Sequence, residues 1–359
     1  MPIDWRSDDL TSKNIAVLGA GSWGTALAMV LAENGHQVTL WTHNPDQARE
    51  IQTTGKNDHY LPDLVLPKNI IATNDMSLAL DQADLINFVV PTKAIRQVAS
   101  QVVTILQEKN VHELPVIMHA AKGLEQGTHL RISEILTEVF QPIGQARVVV
   151  LSGPSHAEEV VKHDITTITA ASIDDEACHL VQEVFMNDYF RVYTNPDIIG
   201  VELAGSLKNI IALGAGALVG AGYGDNAKAA LITRGLAEIT RLGVAMGADP
   251  LTFMGLSAVG DLIVTATSIH SRNWRAGQQV GQGQAVKDVE DHMGMVVEGF
   301  ATAISAYELA EEEGVDMPIT QAIYKVIQGE SSIQDVITAL MARERKGELQ
   351  FEDDLKDIF

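Results

Sequence analysis

A short glycine-rich segment, residues 19–24, is the first pattern in the sequence that could do chemistry. It reads GAGSWG, follows the apolar run 15–18 and precedes an Ala/Leu-rich helical stretch. Between a strand and a helix, the first glycine permits a tight turn, the second admits a pyrophosphate to the helix N-terminus, and the third lets helix and strand pack closely. An ordinary glycine turn is the alternative, but this context favours a dinucleotide-binding loop. The expected cofactor contacts are Gly19, Gly21, Ser22, Trp23 and Gly24.

The end of the second expected strand indicates which dinucleotide is bound. An acidic residue there would bind the ribose 2′-hydroxyl of NAD, but strand 38–41 is followed by Thr42, His43 and Asn44, with Arg49 further on. No carboxylate lies at this strand end to repel a 2′-phosphate, and His43 could donate a hydrogen bond to that phosphate. We therefore expect NADPH to be favoured and NADH to be tolerated.

Two lysines are candidates for acid–base chemistry. Reversible hydride transfer at a carbinol needs a proton donor and acceptor, a positive environment for a developing alkoxide and a clamp for an anionic group. Lys208 lies in a Gly/Ala-flanked helical segment, where desolvation near other cations would lower its pKa toward neutrality. Lys122 follows a strand that should end at the ligand-binding edge of the sheet. The alternatives are a solvated surface lysine at 208 and a loop lysine that neutralises Glu125.

Further polar residues could hold a substrate and its anionic group. Arg272, between a serine and an asparagine, offers a planar, permanently charged fork that matches phosphate oxygens. Gly153 and Ser155 follow a strand and could present N–H groups and a hydroxyl, although a plain turn is the default for such a string. Asp261 could accept a substrate hydrogen bond, orient Lys208 or cap a helix. The expected substrate contacts are Lys122, Gly153, Ser155, Lys208, Asn209, Asp261, Thr265, Ser271, Arg272 and Asn273.

Composition limits the partners of the chain. Its 359 residues are enough for two domains, each with its own core. The composition, 46% hydrophobic and 20% charged, is close to the average of globular proteins. The net charge of −22 argues against nucleic acid or an anionic membrane as a partner. A single cysteine, a polar N-terminus and the absence of an uninterrupted membrane-length apolar run predict a cytoplasmic protein. The histidines form no metal-binding pattern, so we expect no metal.

Alternating strands and helices must position these residues. Short β-branched runs separated by helical stretches predict βαβ units and a mostly parallel, doubly wound sheet with helices on both faces. The runs are 15–19, 38–41, 85–90, 116–119, 148–151 and 165–170.

The second half of the chain has a different pattern. From Asn195 to about Gly329 no good strand is found, and apolar residues recur at helical spacing. Glycine pairs at 214/216 and 220/222 follow no strand, so we interpret them as sites of close helix packing. The expected fold class is α/β, a Rossmann-like domain followed by an all-helical one. The expected limits are 1–196 for the dinucleotide-binding domain, 197–342 for the helical substrate domain and 343–359 for a charged tail.

Seven motifs, in the right order over about residues 14 to 330, resemble those of bacterial NAD(P)-dependent glycerol-3-phosphate dehydrogenases. They are GAGSWGTALA from Gly19, HAAKGLE from His119, LSGPSHAE from Leu151, ELAGSLKN from Glu202, GDL from Gly260, SRN from Ser271 and VVEG from Val296.

The resemblance implies a reversible interconversion of dihydroxyacetone phosphate and sn-glycerol 3-phosphate for phospholipid synthesis. It implies that Lys208 is the proton acceptor and that Lys122 contacts both substrate and cofactor. A carboxylate at Glu298 would be unfavourable near an anionic dinucleotide unless it accepts hydrogen bonds from ribose or amide groups. The residues give no stronger physical reason for it. The further cofactor contacts implied are Ala157, through its backbone, Arg272, Val296 and Glu298.

Two alternatives stay open at this point. A related 3-hydroxyacid dehydrogenase would need a site for a carboxylate where the Ser-Arg-Asn triplet 271–273 lies. A catalytically silent dinucleotide-binding sensor predicts loss of the acid–base group, whereas both Lys122 and Lys208 are present. Because homodimers are the commonest oligomers among soluble proteins, we expect a homodimer.

Overall fold

The computed structural model describes residues 11–293, 297–345 and 347. Its eight-stranded sheet has the order β3-β2-β1-β4-β5-β6-β7-β8. Every neighbouring pair is parallel except β6 and β7, so the expectation of a mostly parallel sheet is confirmed. The strands are β1 (Asn14–Leu18), β2 (Gln37–Trp41), β3 (Ile70–Thr73), β4 (Leu85–Phe88), β5 (Val116–His119), β6 (Val148–Ser152), β7 (Thr166–Ala171) and β8 (Phe190–Asn195).

Helices cover both faces of this sheet. Ile15 and Val17 of β1 share a core with α1, whereas Ala16 and Leu18 share one with α4 and α5. A strand buried on both faces is apolar at every position, which is why the central strands are visible as continuous runs in the sequence. The helices are α1 (Ser22–Glu33), α2 (Pro45–Thr54), α3 (Met76–Ala79), α4 (Ile95–Glu108), α5 (Ile132–Phe140), α6 (Ala157–Val160) and α7 (Asp175–Phe185).

Two strands, β3 and β8, are absent from the sequence-based expectation. Both lie at the edges of the sheet. Each has alternate residues facing outward, with Ile71 49% exposed in β3 and Tyr193 47% exposed in β8. The sequence of β8, FRVYTN, alternates apolar and polar residues as expected of a half-solvated edge strand, so it lacks a continuous apolar run. The sequence of β3, IIAT, is apolar but only four residues long, which is too short to mark a strand by itself.

After β8 the described residues contain only helices, which confirms the helical second half. The domain limits 1–196 and 197–342 stay predictions, and most of the expected tail 343–359 lies outside the described residues. The helices are α8 (Ile198–Gly220), α9 (Asp225–Ala245), α10 (Asp261–Thr267), α11 (Arg272–Gly281), α12 (Val286–Met293), α13 (Glu298–Glu312), α14 (Pro318–Ile327) and α15 (Ile333–Met341).

Helix α8 is the centre of this half. Every residue from Gly200 to Gly216 is buried. Among the described helices it alone is long and apolar enough to cross a bilayer, although Glu202 and Lys208 interrupt its apolar sequence. Since 94% of its most apolar window is buried within the protein, α8 is better described as a core helix.

Glycines on α8 let α11 approach closely. A Cβ at Gly216 would collide with the carbonyl oxygen of Trp274, and one at Gly277 would collide with that of Leu213. The backbones are therefore in direct contact, as the interpretation of the glycine pairs predicts. This contact places the start of α11, with Arg272, beside the middle of α8.

Candidate active site

The glycine loop joins β1 to α1 in the geometry that the sequence predicts. Gly19 has a φ of +125°, and a Cβ there would lie 2.8 Å from the carbonyl oxygen of Val89 at the end of β4. A Cβ at Gly24 would collide with the carbonyl oxygen of Gly19, so both positions need glycine for packing. Gly21 is different, because nothing lies within 4 Å of its Cβ position.

Gly21 is also the N-cap of α1, and no side chain caps the helix there. The first N–H groups of the helix, including those of Ser22 and Trp23, therefore have no side-chain acceptor at this end. Open space beside uncapped amides suits an anionic group such as a pyrophosphate.

A buried ionic centre lies where α8 and α10 meet the sheet. The Lys208 ammonium on α8 donates to Asp261 Oδ1 at 2.6 Å and to the Thr265 hydroxyl at 2.5 Å. The Lys122 ammonium donates to Asp261 Oδ2 at 2.5 Å and to the Gly153 carbonyl at 3.4 Å. One carboxylate thus holds two lysines, which the sequence separates by 86 positions (208 − 122).

Local structure explains why these side chains meet. Lys122 follows β5 and Gly153 follows β6, neighbouring parallel strands whose carboxyl ends share one edge. Asp261 and Thr265 are one turn apart on α10, so they face the same side. Asp261 begins that helix, but its carboxylate binds the lysines.

Burial sets the protonation behaviour of this centre. Burial lowers the pKa of Lys208 to about 7, and Lys122 lowers it while Asp261 opposes the shift. Burial disfavours ionisation of Asp261, yet the two ammonium groups hold the pKa of its carboxyl below the usual range. A lysine with a pKa near neutrality can both give and take a proton at physiological pH.

Two residues of the Ser-Arg-Asn triplet make structural hydrogen bonds, and the third is exposed. The Ser271 hydroxyl caps α11 by accepting from the Trp274 N–H at 3.2 Å. The Asn273 side-chain oxygen accepts from the Gly299 N–H at 2.9 Å, which ties α11 to the start of α13. Arg272, at the first position of α11, is exposed. Sequence reasoning assigned all three residues to the substrate and did not identify the two structural hydrogen bonds.

Glu298 has a structural contact that its sequence gave no reason to expect. Its Oε1 accepts from the Thr92 N–H at 3.2 Å, which joins α13 to the loop after β4. Burial raises the pKa of its carboxyl, with Arg272 among the nearby cations that oppose the rise. A Cβ at Gly123, next to Lys122, would collide with the Thr92 hydroxyl. Thr92 therefore lies between Glu298 and the loop that carries Lys122.

The remaining expected site residues are placed as follows. Ala157 is the first, buried residue of α6, and the Ser155 hydroxyl before it donates to the Gly153 carbonyl at 3.0 Å. Asn209 is buried next to Lys208, and its carbonyl would lie 3.0 Å from a Cβ at Gly299. His43 is exposed after β2. Val296 lies outside the described residues.

Arg49, considered for a 2′-phosphate, pairs with Asp46 at 3.2 Å, with both side chains largely exposed. The sequence reasoning missed the buried residues Arg131 and Ser133, which contact the Glu202 carboxylate on α8. Glu134 accepts from the Arg131 N–H at 2.8 Å, so a glutamate in the first turn is the signal that could have marked this helix N-terminus. Within the described ranges, no group of three or more His, Cys, Asp or Glu side chains could hold a metal.

Comparison with known proteins gives a consistent result over both halves. Residues 14–178 match the family model described as NAD-dependent glycerol-3-phosphate dehydrogenase N-terminus, and residues 197–338 match the model for its C-terminus. The glycerol-3-phosphate dehydrogenase of Lactiplantibacillus plantarum, named as using NAD(P)+, is 60% identical over 94% of this chain and 99% of its own length. That of Enterococcus faecalis is 59% identical over 94% and 98%.

A solved structure agrees with these sequence matches. The crystal structure of glycerol-3-phosphate dehydrogenase from Coxiella burnetii superposes with a TM-score of 0.87 and 36% identity, covering 92% of this chain and 99% of that one. A ketopantoate reductase from Ralstonia solanacearum, 15% identical with a TM-score of 0.56, shares the fold alone. Both family models match, and the glycine loop comes before the residues of the ionic centre in the chain, as in the motif order described above. The chain therefore belongs to the NAD-dependent glycerol-3-phosphate dehydrogenase family.

Proposed function

We propose that the chain catalyses reversible hydride transfer between NAD(P)H and dihydroxyacetone phosphate, giving sn-glycerol 3-phosphate for phospholipid synthesis. The observation that carries the proposal is the buried centre in which Asp261 holds Lys208 and Lys122 on opposite oxygens. Family membership supports the same substrate pair.

Lys208 is the proton donor and acceptor in this proposal. A nicotinamide cofactor held by the glycine loop would supply the hydride for the carbonyl carbon. In the reductive direction Lys208 gives its proton to the carbonyl oxygen as that oxygen gains charge. In the oxidative direction neutral Lys208 takes the hydroxyl proton. Lys122 adds a second positive charge beside the developing alkoxide. Asp261 and Thr265 orient Lys208, as their contacts of 2.6 Å and 2.5 Å support.

Arg272 binds the substrate phosphate in this proposal, with Ser271 and Asn273 fixing the start of α11 beneath it. Its exposure at a helix N-terminus supports this role, since the guanidinium and the helix dipole both favour an anion there. Gly153, Ser155 and Asn209 complete the substrate site.

The loop 19–24 and the first turn of α1 would hold the pyrophosphate of the dinucleotide, as the uncapped N-terminus of α1 supports. Ala157, Arg272, Val296 and Glu298 are proposed as further cofactor contacts, and His43 is proposed to favour NADPH over NADH.

Replacing Gly21 with alanine should separate cofactor binding from folding. We expect the melting temperature of the free protein to stay unchanged, because nothing lies within 4 Å of the new Cβ. NADPH affinity should fall by about tenfold or more, since the Cβ occupies the space that a pyrophosphate needs. Isothermal calorimetry and thermal unfolding measure the two effects.

The matched control is Gly24→Ala, in which the Cβ collides with backbone. It should lower the melting temperature even without cofactor. Equal NADPH affinity in Gly21→Ala and the unaltered protein would show that the pyrophosphate lies elsewhere.

The direct test of function is an assay with purified protein, NADPH and dihydroxyacetone phosphate, followed at the nicotinamide absorbance band. We expect consumption of NADPH and formation of sn-glycerol 3-phosphate. Bound NADPH without turnover would instead support the sensor alternative.

We also propose that the protein is a cytoplasmic homodimer, the commonest oligomeric state of soluble proteins. Its large negative charge agrees with a protein that binds neither nucleic acid nor anionic membranes stably.

A further inference from the structure

A second buried ionic cluster lies on α8, six residues before Lys208. Glu202 Oε2 accepts from the Arg131 guanidinium at 2.7 Å and from the Ser133 hydroxyl at 2.5 Å. Glu202 Oε1 accepts from the Ser133 N–H at 2.8 Å and lies 3.0 Å from Nε2 of His119. All four residues are buried, and the reaction proposed above uses none of them.

This cluster connects three elements that meet at the active-site edge of the sheet. Glu202 lies on α8, Arg131 and Ser133 lie at the start of α5, and His119 is the last residue of β5. Lys122 follows His119 by three residues. The Glu202 carboxylate therefore joins the helix that carries Lys208 to the strand end that carries Lys122.

Between Glu202 and Lys208, helix α8 packs directly against the edge of the sheet. A Cβ at Gly205 would lie 2.7 Å from the Ser152 hydroxyl and 3.8 Å from Cγ of Lys122. Glu202 and Lys208 lie on either side of this contact, about 9 Å apart along the helix axis. A small slide or rotation of α8 would therefore move the Lys208 ammonium relative to Asp261 and Lys122.

The neighbours of Glu202 stabilise its carboxylate in the charged form. Burial disfavours the carboxylate, but His119 and Arg131 hold the pKa of Glu202 below its usual range. Buried ion pairs add little net stability relative to well-packed apolar residues of the same volume. The main consequence of this cluster is therefore a fixed geometry rather than a large gain in stability.

We propose that Glu202 is a positioning residue for the reaction, whose contacts with Arg131, Ser133 and His119 hold α8 in register with β5. The register keeps Lys208 and Lys122 on opposite oxygens of Asp261. This inference rests on the proposed function, in which those lysines act on the substrate.

The test is Glu202→Gln, which keeps the shape of the side chain and removes its charge. We expect kcat for dihydroxyacetone phosphate reduction to fall by about ten- to a hundredfold, because small misplacements of catalytic groups have effects of that size. The KM for NADPH should stay unchanged, since the glycine loop lies on β1 and α1. Circular dichroism and thermal unfolding confirm that the variant compared is folded.

The pH profile distinguishes positioning from a through-space effect. The groups that face Lys208 are Asp261 and Thr265 on α10, Lys122 after β5, and His156 before α6. If α8 moves, Lys208 gains water and separates from both Lys122 and Asp261. Because burial is the largest cause of its lowered pKa, the gain of water outweighs the weaker contact with Asp261, and the apparent pKa in kcat/KM rises. If Glu202 acted only through its charge, its neutralisation would lower the pKa of Lys208 instead.

Glu134→Gln is the matched control. Its carboxylate lies 2.9 Å from the same Arg131 guanidinium, but the pair lies within the first turn of α5. Glu134→Gln should leave kcat and the pH profile unchanged. An unchanged kcat and profile in folded Glu202→Gln, or a profile displaced to lower pH, would overturn the proposal.

Ser133→Ala covers the case in which Glu202→Gln does not fold. It removes one hydrogen bond to Glu202 and keeps every charge, so we expect the same direction of change with a smaller size. Normal kcat and an unchanged profile in Ser133→Ala would then contradict the positioning role. Failure of the proposed function would look different, because the unaltered protein itself would not reduce dihydroxyacetone phosphate.

Discussion

Replacing Lys208 with alanine should lower kcat for dihydroxyacetone phosphate reduction by about two to four orders of magnitude, the range expected for loss of a general acid. The ammonium is buried and held by Asp261 and Thr265, and alanine leaves no proton donor at that position. NADPH affinity should stay close to its original value, because the glycine loop is unaltered. Stopped-flow turnover and NADPH titration measure the two quantities.

Lys228→Ala is the control for this experiment. Lys228 also lies on a helix of the C-terminal half, but it pairs with the exposed carboxylate of Asp225. We expect no change in kcat. If Lys208→Ala kept turnover near that of Lys228→Ala, another group would have to carry the proton.

Asp261→Asn has the second large expected effect. The carboxylate binds both lysines, and an amide leaves two ammonium groups facing each other without a counterion. Because breaking a buried pair exposes an uncompensated charge, the free energy of unfolding should fall by about 3 kcal/mol. Turnover should also fall, since Lys208 is no longer oriented.

The loss of stability in Asp261→Asn should depend on pH. Lys208, whose pKa is already lowered to about 7, can release its proton and relieve the repulsion. Because Asp261 raises that pKa, its removal lowers the pKa of Lys208 further, so the loss of stability is greatest below the pKa in the variant, decreases as the pH rises toward about 7 and is constant above it. Urea unfolding at about pH 6 and about pH 8 should show the larger loss at the lower value.

Asp225→Asn removes an exposed carboxylate from a surface pair and provides the comparison. It should leave both stability and turnover unchanged. A loss of stability in Asp261→Asn that is equal at both pH values would argue against a protonated Lys208 as its cause.

The parts of the fold that sequence could predict are those with continuous or motif-like signals. The strand–loop–helix around Gly19 to Gly24 and the apolar central strands are of this kind. The edge strand β8 escapes prediction because its outward side chains interrupt the apolar pattern, and β3 escapes it because it is only four residues long. Their place in the sheet depends on pairing with distant segments, which no local pattern encodes.

In the active site, too, local signals could be predicted and contacts between distant segments could not. Residue chemistry selected Lys208, Lys122 and Asp261, but their joint hydrogen bonding depends on how α8 and α10 pack against the sheet. The packing of α11 against α13 determines that Asn273 bonds to the Gly299 N–H, and the packing of α8 against the start of α5 determines that Glu202 meets Arg131. These contacts link residues far apart in the chain, so sequence alone gives candidates rather than partners.

In the proposed mechanism Lys208, buried between Asp261 and Lys122, exchanges the substrate proton near neutral pH. The pH dependence of kcat/KM in both directions, from about pH 6 to about pH 9, tests this role. We expect reduction to decline as the pH rises through a midpoint near 7 and oxidation to decline as the pH falls through the same midpoint. A profile that is flat across this range in both directions would contradict it.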